Sequence, residues 1–174
     1  MEWLKNKTVL LDTNVLIYSS RKRERWAELF ELFEKNKCTL LSSDAVRFEF
    51  IRCARTWDER RDLEAVLKTI DCLSTHPQDM ESATEIASTC SAVFPEAGKR
   101  MSLTDSLLSA QLRRYGNRIL LATADVQDFP AACFKLEGVL PIEQGLDQQW
   151  VLVGFFSFDE QKFKEAQGSP RIKA

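Results

Sequence analysis

The chain contains one histidine, His76, and none of its five cysteines forms a C-x-x-C pair. With no such pair, the cysteine pattern argues against a zinc ribbon. His76 sits in "STHPQD", a connecting stretch, and no Ser/His or Cys/His nucleophile can be assembled around it. Cys38, Cys53, Cys72, Cys90 and Cys133 are odd in number and widely scattered, which argues against a disulfide framework and for reduced thiols in a cytoplasmic protein. The opening "MEWLKNK" lacks the apolar segment of a signal peptide, and no apolar run approaches the ~20 residues of a membrane helix. The formal net charge of −2 excludes a basic nucleic-acid coat. It does not exclude nucleic acid, because an acidic metal site can sit beside a basic face. Repeats and low-complexity segments are absent as well.

What remains is an ordinary globular composition, 44% hydrophobic and 29% charged over 174 residues, enough for one well-buried domain. That domain is expected over residues 1–160, with a helix end and a disordered tail over 161–174. The spacing predicts a strand at Thr8–Leu11 and a helix from about Thr13. An amphipathic helix follows through "RKRERWAELFELFEKNK", with Trp26, Leu29, Phe30 and Phe33 on one face. "CTLLSS" reads as a strand, and Ser42 or Ser43 caps the helix "DAVRFEFIRCART". Residues 58–74 and 78–93 read as a helical hairpin, the second helix turning Met80, Ala83, Ile86, Ala87 and Cys90 inward. Ser102 opens a helix that stops at Gly116. "NRILLAT" is a strand, "ADVQDFP" a turn, "KLEGVLPI" a short strand, and "WVLVGFFSF" a strand belonging to the core. Strands alternating with helices give an α/β sandwich around a mainly parallel sheet.

Open α/β sheets bind ligands beyond the carboxyl ends of their strands. Asp12 follows the first strand and Asp125 follows "RILLAT", so both reach one sheet edge. Asp105, in the first turn of its helix, can face that edge, and Glu49 lies one turn into its own. Each acid also has a plain structural explanation. Asp12 can cap a helix, Ser102 and Asp105 form an S-x-x-D capping box, Asp125 and Asp128 suit a turn, and Glu49 can point to solvent between two core phenylalanines. Together they are harder to dismiss: at ~5 Å and an effective dielectric of ~20, each pair of carboxylates repels by roughly 3 kcal/mol. Such a cluster persists if acids are protonated or a cation neutralises them. An all-oxygen set suits Mg²⁺ or Mn²⁺.

Four segments in order, "LLDTNVLIY", "SDAVRFEFIR", "SLTDSLLSAQLRRYG" and "LLATADVQDF", resemble those of PIN-domain nucleases, and the compact form is similar to VapC-type toxins. The resemblance implies a three-layer α/β/α sandwich and an acidic quartet at Asp12, Glu49, Asp105 and Asp125. It places small polar companions at Asn14 and Thr123 and an assisting acid at Asp128. It further implies Mg²⁺ or Mn²⁺ dependence and endonucleolytic cleavage of single-stranded RNA, leaving a 5′-phosphate and a 3′-hydroxyl. Toxins of this kind act in type II toxin–antitoxin pairs, as homodimers silenced by a small antitoxin. The chain runs well past "DFPAACF", further than the most compact toxins, and "RFEF" sets aromatics where the family more often has aliphatics.

In this reading a metal held by Asp12 and Asp105 activates a water, while Asp125 and Glu49 hold a second metal or orient that water. Cations for the RNA path include Lys99 and Arg100 before the helix of Asp105, Arg47, Arg52 and Arg55 beside Glu49, and "RKRER" at 21–25, which equally suits a solvated helix face. A phosphatase with an aspartate nucleophile would need a second acid where Asn14 stands. A housekeeping RNase and a non-catalytic PIN-like binding module remain as alternatives.

Overall fold

The computed structural model describes residues 1–93, 101–143 and 150–168. Lys99, Arg100 and the tail after Gly168 lie outside the described residues. The apolar run at Thr8–Leu11 forms β1, whose last three side chains are buried. Helices α1 (Thr13–Arg21) and α2 (Arg23–Lys35) lead to β2 (Thr39–Ser43), which lies parallel to β1. The Ser43 hydroxyl accepts from the Val46 amide and so caps α3 (Asp44–Arg52). Next come α4 (Trp57–Leu67), β3 (Asp71–Leu73), α5 (Pro77–Val93) and α6 (Leu103–Tyr115). The chain then forms β4 (Ile119–Thr123), β5 (Phe134–Glu143), β6 (Trp150–Phe158) and α7 (Glu160–Gly168).

The described strands make one sheet in the order β3-β2-β1-β4-β6-β5. The first four are mutually parallel, and the β5–β6 hairpin joins antiparallel to β4. From β1 the chain winds outward through β2 to β3, then returns through α5 and α6 to place β4 on the other side of β1. Right-handed crossovers in opposite directions put their helices on opposite faces. In keeping with this, α1 packs on α2 and α3, whereas α5 packs on α6 and α7. The reversal makes the β1/β4 boundary a topological switch point, the place beyond the carboxyl ends where open α/β sheets characteristically bind ligands. Buried Trp26, Phe33, Phe50, Phe134, Phe155 and Phe163 anchor the two layers to the sheet.

Three readings of the sequence change. Residues 58–74 are not one helix: α4 stops at Leu67, and Asp71–Leu73 pairs with Leu41–Ser43 as β3. At this end the Arg47 guanidinium donates to the carbonyl of Leu67 at 3.1 Å and to that of Ile70, satisfying carbonyls that another helical turn would have used. In α5, Ala83, Ile86 and Cys90 face inward but Met80 is exposed; the buried group of its first turn is Asp79. Asp79 accepts from the His76 amide at 2.8 Å and pairs with Arg114 at 3.2 Å. The strand "WVLVGFFSF" is core from Val153 to Ser157, whereas Trp150 and Leu152 are exposed. The fold also brings the free thiols of Cys90 and Cys133 to 3.1 Å, a proximity that their spacing does not announce.

The hairpin is fixed to the body through a missing side chain. Trp3 lies over Gly138 in β5 and meets Phe155 of β6 with ring centroids 5.0 Å apart. A Cβ at Gly138 would come within 3 Å of three atoms of the indole ring, well inside contact distance. Gly138→Ala is therefore expected to lower stability by about 1–3 kcal/mol in chemical denaturation, the cost of forcing a packed ring to move. Stability equal to wild type would show that the ring has room to yield.

Candidate active site

The site begins at the end of β1. Asp12 is the N-cap of α1 in extended conformation and only 4% exposed. Its Oδ1 accepts from the Thr13 amide at 2.6 Å, and its Oδ2 from Asn14 Nδ2 at 2.8 Å and the Thr123 hydroxyl at 2.7 Å. Thr123 ends β4, and its Oγ1 in turn accepts from Asn14 Nδ2 at 3.1 Å and from the Asp125 amide at 3.0 Å. Asn14 Oδ1 accepts from the Ala124 amide at 2.8 Å. This network clamps the two strand ends together and fixes one rotamer of Asp12.

Glu49 reaches the same region from α3, held from both sides. Its Oε2 accepts from the Thr13 hydroxyl at 2.8 Å and its Oε1 from the Thr104 hydroxyl at 2.6 Å. Phe50 beside it is buried, but Phe48 is 67% exposed, so Glu49 does not lie between two core rings. Asp105 closes the predicted capping box: its Oδ2 accepts from the Ser102 amide at 3.0 Å and the Ser102 hydroxyl at 2.6 Å. Asp125 is exposed, one residue before the short 3-10 turn Val126–Asp128, whose Asp128 amide donates to the Asp125 carbonyl at 3.1 Å.

Electrostatics tie these acids together. Burial pushes the Asp12 carboxyl up to about 7; hydrogen bonds from Thr123 and Thr13 oppose this, and the charges of Asp105 and Glu49 reinforce it. Asp105 is raised as well, by burial first, against its Ser102 hydrogen bonds, and then by the charges of Glu49 and Asp125. Asp12, Glu49, Asp105 and Asp125 thus sense one another across the crevice.

Among the described residues, no three acidic, histidine or cysteine side chains form a ready-made metal cage. The donor set still fits a hard cation. Mg²⁺ characteristically takes one or two carboxylates directly and keeps water in its other positions. A carboxyl raised by burial, and further by its neighbours' negative charge, is one that a cation would restore to its ionised form. Asp12 and Asp105 are the residues that would hold it.

The two threonines on Glu49 are the part that the sequence reading passed over. Thr13 follows Asp12 and Thr104 precedes Asp105, so each site acid at a helix start carries a threonine neighbour. That repetition is the signal which could have found them.

Strand ends bearing acids at a switch point, with a third and fourth acid brought in on helices, are the frame of a nuclease-like α/β domain. The PIN-domain profile matches residues 9–135, and the chain belongs to the PIN-domain family. Solved structures agree with the fold. A toxin–antitoxin complex from Klebsiella pneumoniae is 20% identical with a TM-score of 0.53, over 71% of this chain and 91% of its own. The DNA-bound VapBC of Salmonella typhimurium is 20% identical with a TM-score of 0.53, over 71% of this chain and 90% of its own. VapBC-1 from nontypeable Haemophilus influenzae is 20% identical with a TM-score of 0.54, over 70% of this chain and 90% of its own. No characterised protein matches the chain in sequence at a significant level.

Proposed function

We propose that the chain is a Mg²⁺- or Mn²⁺-dependent endoribonuclease cutting single-stranded RNA in the cytoplasm, as the homodimeric toxin of a type II pair silenced by a small antitoxin. The observation that carries the nuclease reading is Asp12: a nearly inaccessible carboxylate at the switch point, raised by burial and by the charges of Asp105 and Glu49. A carboxylate in that position is costly unless something compensates it. The likeness to toxin–antitoxin complexes supports the toxin assignment.

Within this reading Asp12 and Asp105 hold the ion, and Asn14 and Thr123 fix the orientation of Asp12. An ion held there would supply a water of lowered pKa and would offset charge on the phosphate oxygens. Glu49 and Asp125 orient the attacking water, Glu49 steadied by Thr13 and Thr104 and Asp125 by the bond from its amide to Thr123. Asp128 assists from the turn that follows, and Lys99 and Arg100 contact the RNA from the segment before α6.

A non-catalytic PIN-like binding module has one observation in its favour, the lack of a preformed three-ligand cage among the described residues. Incubating the purified protein with labelled single-stranded RNAs in Mg²⁺, Mn²⁺ or chelator separates the two. The nuclease reading expects cleavage with either ion and none in chelator. Intact RNA under all three conditions would move the assignment to the binding module.

A further inference from the structure

A second concavity, distinct from the acidic crevice, lies across α3 and α4, with a volume of about 690 Å³. Its lining is unusual for a chain of net negative charge: Arg47, Arg52, Arg55 and Arg60 face one acid, Glu64. Glu64 is taken by Arg60 at 2.8 Å. Arg47 is spent on backbone carbonyls and Ser42. Among the described residues, neither Arg52 nor Arg55 has a carboxylate against its guanidinium. The same groove carries two of the most exposed aromatic rings of the molecule, Phe48 at 67% and Trp57 at 78%. The Arg60 guanidinium stands over the Trp57 ring at 5.5 Å and steadies it, yet most of the indole remains open to solvent.

Uncompensated guanidinium groups alternating with exposed rings are the components of a single-strand binding surface: cations follow the phosphates, and rings stack on bases. The groove shares α3 with Glu49. Arg52 lies three residues after Glu49 and four after Phe48 on one helix, so it is a surface neighbour of each and stands between them on α3. We propose that the α3–α4 groove is a base-stacking platform for single-stranded RNA. Trp57 and Phe48 are its stacking rings and Arg52 and Arg55 its phosphate contacts, and it delivers the strand to the acidic crevice past Arg52. The proposal rests on the nuclease reading for its substrate. It adds a positioning surface that the charge pattern of α3 alone does not reveal, because Trp57 comes from α4.

The test is fluorescence anisotropy of a labelled 12-nucleotide RNA with the full chain in chelator, where binding is read without cleavage. Trp57→Ala is expected to weaken binding about tenfold, and Trp57→Phe to retain most of the affinity. Arg52→Ala is expected to flatten the dependence of log Kd on log salt by about 0.7. An abasic strand of equal length should bind wild type more weakly and lose nothing further in Trp57→Ala. Trp150→Ala, which removes an exposed tryptophan on the β5–β6 hairpin, should leave affinity unchanged.

Wild-type affinity in both Trp57→Ala and Arg52→Ala overturns the platform. So does an equal loss for normal and abasic strands, or an RNA affinity left intact while sedimentation shows a dimer becoming a monomer, which would assign the groove to a second copy of the chain. Cleavage of RNA in Mg²⁺ by wild type is scored separately. Cleavage without Trp57-dependent binding rejects the platform alone, and Trp57-dependent binding without cleavage rejects the nuclease reading alone.

Discussion

Asp12→Asn and Asp105→Asn are each expected to lower metal-dependent RNA cleavage by about 10³-fold or more, while the proteins stay folded. Each substitution replaces a charged oxygen donor with a neutral amide where the proposed nuclease would hold a hard cation, and the stabilisation of charge on the phosphate falls with it. The two variants fail for different local reasons. At Asp12, three donors converge on two oxygens, from the Thr13 amide, Asn14 and Thr123. An asparagine must turn its own amide toward one of them. At Asp105, the carboxylate also closes the cap with Ser102, so part of the cost is about 1 kcal/mol of helix stability.

If both residues serve one ion, the losses are not additive, and the double variant is little worse than either single one. Kinetics on a labelled RNA beside circular dichroism of the same preparations checks both points. Activity within tenfold of wild type in either folded variant would remove that residue from the ligand set.

The second large effect is on stability. In an unfolded chain Asp12 titrates near 3.8, and in the fold near 7. Between these values the native protein keeps a proton that the unfolded chain has released. The contribution of Asp12 is therefore most favourable at the acid end and is lost as pH rises through about 7. The loss is on the order of 4 kcal/mol, and the raised Asp105 acts in the same direction. Asp44, Glu85 and Glu137 have lowered values, so their contributions disappear only at more acidic pH.

Urea denaturation in chelator at pH 5 and pH 8, for wild type and Asp12→Asn, isolates the Asp12 part. Wild type should be the more stable protein at pH 5, and its advantage should shrink or reverse at pH 8. Mg²⁺ should restore wild type at pH 8 and do little for the variant. Parallel pH dependence in the two proteins would mean that Asp12 does not carry the shift.

The parts of this molecule that could be read from sequence are those set by local pattern. Val9–Leu11 and Ile119–Thr123 are short apolar runs bounded by polar residues, and they form the two central strands. Ser43 and Ser102 announce helix starts by their chemistry, and both caps form. β3 was not legible, because Leu63, Val66, Leu67 and Ile70 keep a helical period past the true end of α4. The side chain that satisfies the Leu67 carbonyl, Arg47, is 20 positions upstream.

The site divides in the same way. Strand-end acids follow from the topology rule, and the PIN resemblance supplied the quartet. The hydroxyls that seat Glu49 depend on α1 and α6 meeting α3 in space, which no local pattern encodes. The outward turn of Phe48 has the same origin, since periodicity alone cannot say which flank of Glu49 meets the core.

The hydrogen bond from Thr123 to Asp12 joins residues 111 positions apart. It depends on β4 lying parallel to β1, the kind of long-range pairing that forms slowly. During synthesis, therefore, the first two-thirds of the chain carries Asp12, Glu49 and Asp105 without the strand that completes their crevice. The hydrogen bonds that seat Asp12 cannot all form until the chain through Asp125 has emerged and β4 has docked on β1. The order of strands in the sheet thus sets the point in synthesis at which Asp12 and Thr123 can first meet, and for the nuclease proposed above that is also the point at which its site is first complete.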